Sequence, residues 1–125
     1  TTGGAIQRVS AAGGTPQQLT TESAFYQSPA FAPDGRRIVT IRGPLRNFRE
    51  SIGAGAGGAA QDIVWIPAAG GAATFIAPTA GRSNPHFTMQ DSSRIYFSGG
   101  GGLVSMRWDG TEARTHVRVT GANWI

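Results

Sequence analysis

The feature that most constrains this chain is that it repeats itself. Ser10-Ala11-Ala12-Gly13-Gly14 returns as Pro67-Ala68-Ala69-Gly70-Gly71, 57 residues later, and Trp108-Asp109-Gly110-Thr111 is a third version 40 residues beyond the second. A longer unit keeps the same register. Ser28-Pro29-Ala30-Phe31-Ala32-Pro33-Asp34-Gly35, then Arg37-Ile38-Val39, aligns with Asn84-Pro85-His86-Phe87-Thr88-Met89-Gln90-Asp91, then Arg94-Ile95-Tyr96. The offset grows from 56 at Pro29 to 57 at Arg37, so one extra residue belongs to the Asp91-Ser92-Ser93 turn. Units that recur at such a period stack on one another, because none can bury its apolar surface alone. The excess of 57 over 40 has an evident source in residues 43–61, which are rich in Gly and Ala, lack any periodic pattern and separate two good strands.

Each unit reads as short apolar or aromatic runs divided by Asp-Gly or Gly-Gly, the local chemistry of hairpins. Gly and Pro fill 26 of the 125 positions, and no helical periodicity is needed anywhere. Strands are predicted at 5–9 and 17–19, then near 28–32, 37–42, 62–67 and 74–77, then near 84–88, 94–98, 103–108 and 115–120. A spacing of roughly 40 to 45 residues per four strands is that of a propeller blade. The fold class is therefore all-β, a β-propeller fragment of about two and a half four-stranded antiparallel blades. Residues 1–20 make a half blade, 28–77 a blade carrying the insertion 43–61, and 84–120 a second blade. Residues 121–125, with Trp124, open a further one. Alternation puts Phe31 and Phe87 on faces that pack between neighbouring sheets, while Asp34 bonds back to its own turn and Gly35 supplies a positive φ. Such an arc has two apolar faces to cover, which implies further blades of the same protein or further copies of the chain.

These residues resemble the TolB-like β-propeller family, with its PD-type, WD-like repeats. Its hairpin of Pro-x-aromatic-Ser-Pro-Asp-Gly-Lys/Arg is matched by Pro29, Phe31, Pro33, Asp34, Gly35 and Arg36. Its later half is matched by the run from Ala11 through Gly14 with Leu19 and Thr20, and by Trp108-Asp109-Gly110. The second hairpin departs from the pattern at Met89-Gln90-Asp91-Ser92. Over 62–121, the Asn-Pro-His-Phe-Thr and Arg-Trp-Asp-Gly-Thr segments look most like the propeller region that precedes an amidohydrolase domain in large bacterial proteins. The resemblance implies a noncatalytic scaffold or protein-interaction segment, a hydrolase domain as possible partner, and a periplasmic or secreted location. Two alternatives stay open: a propeller that gates substrate access in a hydrolase or peptidase, and a module that binds carbohydrate or a polyanion through Arg and Trp.

The remaining chemistry is sparse. Eleven Arg and no Lys against seven acids give a net charge of +4, but only Arg36, Arg37, Arg42, Arg46 and Arg49 cluster, without the interleaved aromatics that stack on bases. Nucleic acid is not expected as a partner. The absence of Cys removes disulfides, thiolate metal sites and a Cys nucleophile, and no apolar run nears the ~18 residues of a membrane span. No export signal is expected at the first residues. Gly53, Gly55 and Gly58 spell a dinucleotide-binding pattern, but a strand follows at once and leaves no room for the phosphate-binding helix.

His86 and His116 lack the spacing of a zinc site, no Gly-x-Ser-x-Gly elbow is present, and the acids fall in turns. No catalytic residue, cofactor or metal is assigned. Candidate partner or ligand contacts are Arg46, Phe48 and Arg49, on the insertion, and His86, near the start of an inner strand.

Overall fold

The computed structural model describes residues 3–43, 61–99 and 102–118. Among them the chain is all-β and forms ten strands: β1 (Gln7–Arg8), β2 (Gln17–Gln18), β3 (Phe25–Phe31), β4 (Arg37–Gly43), β5 (Asp62–Pro67), β6 (Thr74–Pro78), β7 (Arg82–Thr88), β8 (Asp91–Gly99), β9 (Gly102–Arg107) and β10 (Arg114–Arg118). Three antiparallel sheets result, a β1-β2 hairpin and two four-stranded meanders ordered β3-β4-β5-β6 and β7-β8-β9-β10. Of the insertion 43–61, residues 44–60 lie outside the described residues, as do 119–125, while Gly43 is not part of a loop but the last residue of β4, paired with Phe25.

The inner strands begin earlier than the sequence suggests. β3 starts at Phe25 and β7 at Arg82, because each ladder continues through an irregularity around its Pro: the register shifts between Gln27 and Ala30, and again between Ser83 and His86. A proline lacks the N–H that a ladder needs, and each of these lies on the edge strand of its meander at such a break, where no ladder bond is lost. Ser28 takes a positive φ of 52° beside Pro29.

The turns follow from their residues. Oδ1 of Asp34 accepts the N–H of Arg36, Oδ1 of Asp91 that of Ser93, and Oδ1 of Asp109 that of Thr111, at 2.8–2.9 Å. Each carboxylate thus closes its own turn, as short polar side chains do. Hydroxyl and backbone donors from Ser93 and Thr111 hold the carboxyls of Asp91 and Asp109 below the usual carboxylate range. These bonds favour the folded state only while the acids are ionised.

The core lies between the two meanders. Val39, Ile63 and Ile76 of the first meet Ile95, Phe97 and Met106 of the second, with Trp65, Phe87 and Trp108 packed around them. Burying side chains of this size contributes roughly 1.5–3 kcal/mol each. The other face of the first meander, with Ile38, Val64 and Ile66 fully buried, lies on the side of the β1-β2 hairpin, where Leu19 is also buried.

One contact recurs at the repeat spacing. A Cβ at Gly70 would lie 3.4 Å from the carbonyl of Leu19, which follows β2, and a Cβ at Gly110 would lie 2.5 Å from the carbonyl of Ile76 in β6. Each outer turn therefore rests on the backbone of the outer strand of the sheet before it. Gly71 N–H also donates to Leu19 O at 2.8 Å. The matching turn of the hairpin, at Gly13, has nothing within 4 Å of the corresponding position.

The two phenylalanines diverge. Phe87 is half-buried against the core, whereas Phe31 is 54% exposed, contrary to the expectation that both pack between sheets. Phe87 has a complete four-stranded neighbour, while Phe31 faces a two-stranded hairpin too narrow to cover it.

Gly13→Ala and Gly110→Ala both place a side chain at positive φ, a strain of about 1–2 kcal/mol. Only Gly110→Ala also drives a methyl into Ile76, so urea unfolding should show it to be clearly the more destabilising of the two. As pH falls below about 4, where free carboxyls protonate, the wild type should lose stability more steeply than Asp91→Asn/Asp109→Asn, followed by thermal melts in acid.

Candidate functional site

Pairing across the second meander sets His86 opposite Tyr96 and Tyr96 opposite Ser105, and His116 lies within the irregularity of β10. The result is one row of polar and aromatic groups on a single face. The rings of His86 and Tyr96 are 6.1 Å apart and those of Tyr96 and His116 5.4 Å, both pairs tilted by about 33–34°. Beneath them, Ser105 Oγ lies 2.8 Å from His116 Nε2 and accepts the Nε–H of Arg94 at 3.0 Å.

Arg94 is 8% exposed, so its charge needs partners. It donates to the backbone carbonyl of Glu112 at 2.5 Å and pairs with that residue's carboxylate at 3.4 Å. Arg107 and Arg114 reach the same carboxylate at 3.2 Å each. Glu112 holds a φ of 49°, a conformation costly for a side-chain-bearing residue, and the charge-assisted bonds to its carbonyl and carboxylate offset that cost.

A Ser–His contact invites the idea of a nucleophile. Yet Ser105 is 0% exposed, its Oγ already accepts from a buried guanidinium, and the Glu112 carboxylate is engaged by three arginines rather than by His116. The pair works as a satisfied polar node of the sheet. No group of three His, Cys, Asp or Glu side chains suited to a metal ion occurs among the described residues.

The equivalent positions of the first blade carry a different chemistry. Tyr96 and Ser105 correspond to Val39 and Trp65, both in the packed seam. Arg94 corresponds to Arg37, whose guanidinium carbon sits 4.8 Å from the Trp65 ring centre and 4.9 Å from that of Trp108. The two indoles meet edge to face at 6.2 Å, and Trp108 Nε1–H donates to Ser92 O at 2.6 Å. A Trp at the position of Ser105 turns the same arginine from an ion-pairing group into one stacked between rings.

Of the sequence candidates, His86 is exposed on the polar row, while Arg46, Phe48 and Arg49 lie outside the described residues. Sequence reading did not single out Tyr96, Ser105, Arg94 or Arg37. The repeat offset that pairs Arg37 with Arg94 is the signal that could have drawn attention to them.

No family model matches the chain, and no curated protein matches it. Among solved structures it is similar to an oligogalacturonate lyase in complex with manganese, with a TM-score of 0.68 at 15% identity over 89% of this chain and 34% of that one. The chain thus spans about a third of that protein's length. The likeness agrees with the stacked meanders: the fold is of the propeller type, an arc of two four-stranded blades preceded by a hairpin.

Ser105→Ala leaves Arg94 Nε–H and His116 without their shared partner and should destabilise the chain by about 1–3 kcal/mol in chemical denaturation. Ser105 in the native chain should resist labelling by a fluorophosphonate, checked by intact mass.

Proposed function

We propose that this chain is a noncatalytic β-propeller segment of the TolB-like kind, a scaffold or protein-interaction module of a larger bacterial protein of the amidohydrolase type. The observation that carries the scaffold reading is the uncovered side of the first blade. Phe31 is 54% exposed beside a pocket of about 310 Å³ lined mainly by apolar groups of Ile6, Val9, Leu19, Pro29 and Ile38. The corresponding Phe87 is covered by a full neighbouring blade. The hairpin β1-β2 supplies the outer half of a blade, and its inner strand pair comes from the remaining blades of the protein or from another copy of the chain.

The amidohydrolase setting and a periplasmic or secreted location are supported by the sequence resemblance over residues 62–121. A role of Arg46, Phe48 and Arg49 in docking a partner domain rests on the propeller habit of binding through rim loops.

Expressed alone, the chain should self-associate through its open faces while remaining folded, as read by light scattering with circular dichroism. Phe31→Asp should shift it toward monomer with little change in stability, since the side chain is exposed. A monodisperse, folded wild-type monomer would overturn this reading. Deletion of 45–60 should abolish capture of the partner domain in a pull-down; unchanged capture removes the loop from the proposal.

A further inference from the structure

The seam between the blades opens into a pocket of about 460 Å³ lined by Arg37, Ser92, Ser93, Arg107, Trp108 and Asp109. That volume lies within the roughly 300–1,000 Å³ usual for small-molecule sites. It has three polar features with unused capacity. Arg37 is fixed between Trp65 and Trp108, yet no described carboxylate stands within ion-pair distance of it. Ser92 Oγ accepts the N–H of Asp34 at 3.1 Å, which leaves its own hydroxyl proton to donate. Asp109 spends Oδ1 on the backbone N–H and the hydroxyl of Thr111, which leaves Oδ2 to accept.

We infer that this seam pocket binds a small sugar acid, a hydroxylated carboxylate of the hexuronate class. The guanidinium fork of Arg37 matches a carboxylate, with Arg107 as a second cation at the rim. Ligand hydroxyls then meet Ser92 as donor and Asp109 as acceptor, and the exposed margin of Trp108 forms an apolar wall. Other ligand classes fit less well. A bare inorganic anion would face the Asp109 carboxylate with no hydroxyl to offer it, and a neutral sugar would leave Arg37 without a counter-charge. The site is separate from the polar row of the second blade and from the open face beside Phe31.

The test is a titration of the 125-residue chain with methyl glucuronoside, followed by tryptophan emission and by calorimetry, against methyl glucoside and inorganic sulfate. The expected result is saturable uronoside binding at least about tenfold tighter than either control, the scale of a charge-assisted contact. Arg37→Gln should lose most of that affinity. Arg107→Gln, altered at a half-exposed side chain whose partner Glu112 keeps Arg94 and Arg114, should weaken it several-fold. Asp109→Asn should narrow the preference for uronoside over sulfate. Equal binding of uronoside and glucoside, sulfate binding as tight as uronoside, no saturation at millimolar ligand, or undiminished affinity in both arginine variants would overturn the inference.

Discussion

The molecule depends on the two meanders lying close enough to bury the faces they turn toward each other. The close approach is set at the outer turns, where glycine lets one backbone rest on the next: Gly70 on Leu19 and Gly110 on Ile76. With that spacing fixed, Val39, Ile63 and Ile76 reach Ile95, Phe97 and Met106 across the seam, and none of the six is left in water. A sheet in this arrangement has no independent core. Its stability comes from the sheets beside it, which is why a two-stranded neighbour leaves Phe31 exposed and a four-stranded one half-buries Phe87.

Much of the fold was legible in the sequence because repetition is a strong signal. The 57- and 40-residue offsets located the strands, and Asp-Gly or Gly-Gly located the turns. The strand starts were less legible. Ser28-Pro29 and Asn84-Pro85 read as beginnings, but a proline at a register shift can lie inside a strand, and no local rule distinguishes the two cases. Phe31 was misjudged for a different reason: its environment is set by how many strands the neighbour has, which is not a property of residues near it.

The chemistry was less legible than the fold. His86 and His116 are thirty residues apart and share no motif, and only the register of β7, β8 and β10 brings both against Tyr96. Arg37 and Arg94 occupy one place in the repeat and behave differently because of a single partner, Trp65 in one blade and Ser105 in the other. Variation at matched positions, more than the shared motif, marks where a repeat protein departs from pure packing.

The arginine held between Trp65 and Trp108 also has a mechanical meaning. It is rooted in one blade, braced by Trp65 of that same blade and stacked on Trp108 of the next, so sliding one sheet past the other along the seam must pull Trp108 away from both the guanidinium and the Trp65 ring. The two blades therefore resist shear as a single stiff plate at that edge, and strain applied to either is transmitted to its neighbour.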